Sequence, residues 1–204
     1  MKQWQGFFGG VANVGEDIPN VLLTFNIVLS LLLVFRTNAA NERFWQGRIL
    51  WGSLVNAVRN LARRIWIEIE EREPKAREEK EAAVRLVVAF TIAMKLHLRN
   101  EPVNQELEPM MSSLQYFKLK EMDHPPLEIA FWIGDYLQSQ YKQGCIHIFQ
   151  VTNLHKLLDE LVNILGGCER ILKTPMPLLY TIILKTLLLI YFTVLPFELV
   201  VAFT

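Results

Sequence analysis

The chain is poor in the residues that carry most site chemistry. It holds two cysteines, Cys145 and Cys168, 23 positions apart. No C-x-x-C pair occurs, which removes a thiol redox motif and a zinc knuckle, and the two read as reduced thiols of a cytosolic part. There are four histidines, His97, His124, His147 and His155, and they are scattered. Only His147 and His155, eight apart, share a helix face, and that is a feeble metal signal, so no metal ligand is assigned. His97, between Leu96 and Leu98, reads as a core or interface residue rather than a ligand. H-E-x-x-H, G-x-S-x-G and P-loop patterns are missing, which argues against a membrane enzyme, and no cofactor is expected. Neither charge is in excess: 21 Lys+Arg face 21 Asp+Glu. That balance gives no electrostatic case for nucleic acid. Strand-like alternation and internal repeats are missing as well. Met1 to Gly10 has one lysine, no apolar core and no small-residue cleavage pattern, so it does not read as a signal peptide.

What the chain does hold is apolar sequence, gathered into two runs. Hydrophobic residues make up 51% of the chain and charged residues 21%, and the charges fall mostly between the runs. The first run, Ile18 to Phe35, is IPNVLLTFNIVLSLLLVF, 18 residues without a charge, closed by Arg36. A bilayer-spanning helix needs about 20 predominantly apolar residues, with a floor near 17, so this run qualifies narrowly. The second run extends from Thr174 to Thr204, with Pro175 and Pro177 at its start and Lys185 and Glu198 as its only charges. Pro196 lies inside it and is expected to kink the helix by freeing the carbonyl of Phe192. The apolar pattern is still running at Thr204. Lys185 is a charge deep within a membrane run. Such groups face a wet cavity or a partner, here an anion path, Glu198 or a carboxylate of a neighbouring subunit.

Residues 36–173 are helical in pattern, with breaks at Pro74, Pro102, Pro109 and Pro125-Pro126. Arg36, Arg43, Arg48, Arg59, Arg63 and Arg64 crowd the end of the first run, so this side is cytoplasmic by the positive-inside rule and the crossings are even in number. Phe44, Gly47, Trp51, Leu54, Val58, Leu61 and Ile65 recur at spacings of 3 and 4, a heptad seam that suits either a bundle helix or a contact between subunits. A further helix is expected over Glu78 to Leu98, with Ala83, Leu86, Val87, Phe90, Met94 and His97 on one face. Others are expected from Pro125-Pro126 and over Leu154 to Ile164, the latter ended by Gly166-Gly167.

Two irregular strings carry a family likeness. LLLVFRTNAANERFWQGRILWG, Leu31 to Gly52, strongly resembles the bestrophin family in its bacterial and plant-organelle branch. So do GCERILKTPMPLLY, Gly167 to Tyr180, and LKTLLLIYFTVLPFELV, Leu184 to Val200, in matching order. The likeness covers most of Ile18 to Val200. It implies an all-α membrane protein with two transmembrane helices and a cytosolic helical bundle, like a bestrophin subunit lacking its first and fourth membrane helices. The implied organisation is a segment 1–17 outside the likeness, a neck-forming membrane helix 18–35, a cytosolic region 36–173, and a second membrane helix 174–204 cut short at its end. The likeness further implies a homopentamer in a bilayer, in a bacterial inner membrane, that passes small inorganic anions such as chloride. Two other readings stay open: a cation-selective homologue, and a non-conducting, membrane-anchored helical interaction protein. Asn41 stands where many relatives carry an aromatic, and Glu198 where an uncharged residue is usual. The acidic calcium site of animal members lies beyond the region matched, so none is assigned.

In the family register the neck-facing positions are Thr24, Val28 and Leu32, four apart and so on one helix face. Five copies would stack three rings, and apolar rings gate by dewetting while discriminating weakly by charge. Contact with lipid or neighbouring helices is the alternative. Asn26 and Ser30, on another face, suit helix packing. Arg36, Asn38 and Arg43, at the membrane exit, suit either anion attraction at the pore mouth or headgroup contact. Glu169 and Arg170 are expected to pair and brace the cytosolic bundle.

Overall fold

The computed structural model describes the backbone of residues 2–174 and 178–203, and the side chains of 23–174, 178 and 180–196. Among the described residues there are six α-helices, one 3-10 turn and no strand: α1 Lys2–Glu68, α2 Ala76–Leu98, the 3-10 turn Glu108–Met110, α3 Ser113–Lys120, α4 Pro125–Lys142, α5 Ile148–Lys173 and α6 Leu178–Phe203. The first apolar run is therefore a segment of a longer helix rather than a helix of its own. The chain forms two compact units, residues 1–44 with 175–204, and residues 45–174.

The 45–174 unit is built on apolar stripes at helical spacing. Leu54, Ala57, Leu61 and Ile65 of α1 are buried, as are Ala83, Leu86, Val87, Phe90 and Met94 of α2. Ile129, Ile133 and Leu137 of α4 and Leu154, Leu161 and Leu165 of α5 complete the same core. Each of the larger side chains, Leu, Ile, Val, Phe and Met, contributes about 1.5–3 kcal/mol by leaving water. The expected seam on α1 divides. Leu54, Leu61 and Ile65 are core and Val58 packs against it, but Phe44 and Trp51 are exposed.

The helix ends follow local chemistry. Pro125 and Pro126 occupy the first turn of α4, where a missing amide hydrogen is harmless, and Pro125 bars His124 from the helix. Asn100 ends α2 in the left-handed region at φ 56°, with its N–H donating to His97 carbonyl oxygen at 3.0 Å and the Glu101 N–H to Leu96 at 2.9 Å. The turns at 69–75 and 143–147 are joined: the Glu70 N–H donates to the Cys145 carbonyl at 2.9 Å. Gly144, at φ 74°, makes the second turn possible. Lys80 is buried, and its ammonium donates to Glu71 at 2.8 Å and to the Trp66 carbonyl at 3.3 Å.

One expected helix end is corrected. Gly166-Gly167 do not stop α5, which runs on to Lys173. A Cβ added at Gly167 would lie 3.0 Å from Leu50 Cδ2, so this residue lets α5 approach α1 closely. Gly166 faces open space. Gly166→Ala is therefore expected to stabilise the unit by about 0.5–1 kcal/mol through helix propensity. Gly167→Ala gains the same propensity but must displace Leu50, and is expected to stabilise less or to destabilise. Thermal denaturation of the two variants side by side checks this.

In the other unit, α1 and α6 pack antiparallel. Phe25 stacks on Tyr191 with ring centroids 6.3 Å apart, Leu29 and Leu184 are buried, and the Tyr180 hydroxyl donates to the Leu32 carbonyl at 2.5 Å. α6 continues through Pro196.

Candidate functional site

The membrane-length segment of α1 has its own asymmetry. Phe25 and Leu29 meet α6. Thr24 and Val28 are exposed, as are Asn26 and Ser30 on a different side, and Leu32 is half-buried, with its backbone carbonyl accepting from Tyr180 of α6. From Leu23 onward α1 contains a window long and apolar enough to cross a membrane, 6% of which is buried within the chain; the described part of α6 has a shorter apolar stretch, Tyr180–Pro196. Arg36 and Arg43 are half-buried and Asn38 is exposed. Lys185 is exposed on α6 with no ion pair among the described residues. Glu198, a candidate partner by sequence, lies outside the residues whose side chains are described.

In the 45–174 unit a cluster appears that local sequence reading does not assemble. His97, in the last turn of α2, His124, the residue before α4, and Glu169, near the end of α5, converge. His97 Nε2 lies 2.7 Å from Glu169 Oε1, and His124 Nε2 lies 2.7 Å from the same oxygen. A carboxylate oxygen only accepts, so each Nε2 carries the hydrogen. The two imidazole centroids are 4.2 Å apart, tilted by 37°. Burial pushes the Glu169 carboxyl up, but the hydrogen bonds from His124 and His97 outweigh it and hold the group below the usual carboxylate range. Lys173 stands 3.9 Å from the other oxygen. Glu169 thus pairs with the histidines, and no ion pair with Arg170 forms, against the expected brace. His124 Nδ1 is buried without a hydrogen-bond partner among the described residues. Beside the cluster opens a cavity of about 340 Å³, lined in part by His97, Glu101, Lys120, Asp123 and Pro125.

His97 and Glu169 are 72 positions apart and His124 and Glu169 are 45 apart, so no spacing rule links them. One usable signal was His124 before two prolines: the residue is held outside the helix and its side chain makes no cap hydrogen bond. His147 and His155, the pair that shares a helix face by spacing, do not enter this cluster. His147 caps α5, its Nδ1 accepting from the Phe149 N–H at 3.4 Å.

The family model of the bacterial/fungal bestrophin protein matches residues 11–204. The chain belongs to the bestrophin family. This bestrophin is 59% identical over 187 residues to a voltage-dependent anion channel-forming protein of Nostoc sp., covering 92% of this chain and 59% of the relative. It is 50% identical over 175 residues to a protein of the same description from Synechocystis sp., covering 86% of this chain and 57% of the relative. The chain thus spans just under three fifths of these relatives' length. Among solved structures, a bacterial bestrophin homologue from Klebsiella pneumoniae aligns with a TM-score of 0.77 at 29% identity, covering 86% of this chain and 64% of that one. The fold of this bestrophin is that of its family: helical throughout the described residues, with a long apolar helix followed by a helical bundle.

Proposed function

We propose that this bestrophin is a subunit of an ion channel that passes small anions, chloride among them, passively across a membrane. The observation that carries the reading is the uncovered apolar face of α1. Val28 is 45% exposed and Ile27 62% exposed, in a helix that already packs Phe25 and Leu29 against α6. Such a face needs lipid or another helix beside it. The names of the Nostoc and Synechocystis relatives, which describe anion channel-forming proteins, favour a pore over plain anchoring.

In this proposal five copies arrange α1 around a common axis, with Thr24, Val28 and Leu32 towards the ion path. A narrow ring of valines and leucines hydrates poorly and acts as a barrier until wetted. Asn26 and Ser30 face the neighbouring subunit and bond across to it. Arg36, Asn38 and Arg43 stand at the mouth, where their positive field concentrates anions. Residues 36–173 lie in the cytoplasm of a bacterium, below its inner membrane, which the arginines after Phe35 support. Lys185 then adds a positive charge near the path rather than a lipid-facing liability.

The test is reconstitution of the purified chain into liposomes loaded with a chloride-sensitive dye, with oligomer mass measured in the same detergent. Chloride passage with a pentamer mass is expected. A tight vesicle with a monomeric protein sinks the channel reading for this chain. The second reading, a non-conducting helical partner protein, takes the uncovered apolar face of α1 as a membrane anchor alone. A pentamer that passes no ion favours it.

A further inference from the structure

We infer that His97, His124 and Glu169 form a binding site for a divalent first-row transition ion, with zinc as its best match. The ligand atoms these three side chains offer lie within 4.8 Å of one another. Two imidazoles and one carboxylate are the donor set of open, tetrahedral zinc sites, where water fills the fourth position. Both histidines present Nε2 to the same Glu169 oxygen at 2.7 Å, so the donors already converge on one point. Ligand atoms around a zinc ion stand roughly 3.3 Å apart, which follows from bond lengths of about 2.0–2.1 Å. Each nitrogen needs to draw back from the shared oxygen by only about 0.6 Å to admit one. Binding through Nε2 requires the other tautomer of each neutral imidazole: its single N–H hydrogen moves from Nε2 to Nδ1, which leaves the Nε2 lone pair for the ion and releases no net proton.

The surroundings suit a cation that arrives from water. The cavity beside His97 gives access, and two carboxylates, Glu101 and Asp123, line it along with Lys120. The neutral imidazoles and the Glu169 carboxylate sum to one negative charge. The donors come from three places in the chain: the end of α2, the residue before α4, and the last turns of α5. An ion held there clasps the bundle at one point, so it stabilises the folded unit by mass action. Two nitrogen donors disfavour calcium and magnesium, which take oxygen ligands. This inference uses only the 45–174 unit and stands or falls apart from the pore.

The test uses the tag-free purified chain, stripped with a chelator and titrated with zinc chloride against a chromogenic competitor. One zinc per chain is expected, undisplaced by excess magnesium or calcium. A higher thermal midpoint is expected with zinc; at a hundredfold excess over Kd the folded population gains about a hundredfold. His97→Gln, His124→Gln and Glu169→Gln are each expected to weaken binding more than about tenfold, since even outer partners of metal ligands are worth 10–100-fold. No zinc held against the competitor, or equal binding by His124→Gln and the unaltered chain, overturns the site. Should a variant lose its helical circular dichroism, X-ray absorption at the zinc edge of the unaltered chain decides. Two imidazole nitrogens around the ion uphold the assignment, and fewer overturn it.

Discussion

Phe90→Ala is expected to lower the stability of the 45–174 unit by about 3–5 kcal/mol, the range for emptying a fully buried aromatic site. Phe90 is 0% exposed, at the middle of the α2 stripe, with Val87, Ala89 and Met94 equally enclosed. The lost transfer energy is joined by a cavity that neighbouring helices cannot close, because Ile129, Ile133 and Leu137 of α4 are themselves fully buried. In a unit of this size the thermal midpoint falls by roughly 10 °C or more. Leu114, 82% exposed, serves as the control. Leu114→Ala is expected to stay within about 0.5 kcal/mol. Circular dichroism melts of both variants decide. Equal midpoints would remove Phe90 from the core.

Val28→Asp is expected to suppress chloride passage about a hundredfold and to turn the residual conductance towards cations. In the proposed pentamer Val28 lines the neck. A carboxylate about 6 Å from a permeating anion, at an effective dielectric near 20, repels it by roughly 3 kcal/mol. Each 1.36 kcal/mol added to a barrier is a factor of ten in rate. Five carboxylates in one ring make this a lower bound while they remain ionised. Val28→Thr keeps the volume and adds only a hydroxyl, so it is expected to change flux several-fold at most while easing wetting of the ring. Flux and reversal potential are measured in the same vesicles. A Val28→Asp channel with unaltered anion preference takes Val28 out of the ion path.

The helices were largely legible in the sequence because their signals are local. The Ala83–Met94 stripe became the buried face of α2, and Pro125-Pro126 did open α4. The uncharged stretch up to Phe35 is helix, though within a longer one. Where a residue's fate depends on what lies opposite, periodicity alone leaves it open. Phe44 and Trp51 share spacing with Leu54 and Leu61, yet only the latter two are buried in the chain. Gly167 carries a stop signal by composition, whereas its lack of a side chain accommodates Leu50 from another helix. His97 fits the α2 stripe as well as any apolar residue does. Its partners, His124 and Glu169, are brought to it by the packing of α4 and α5, which no periodicity encodes. Lys80 is a charge that no periodicity marks, buried against Glu71 and Trp66.

The hydrogen bond between Glu70 and Cys145 has a practical side for protein engineering. The loop after α1 and the loop after α4 are stitched edge to edge by backbone atoms, so neither can be lengthened without pulling on the other. A reporter or epitope spliced into residues 69–75 or 143–147 sacrifices that stitch, along with the Gly144 geometry that permits it. Chain cuts for permuted or split versions of the bundle belong elsewhere.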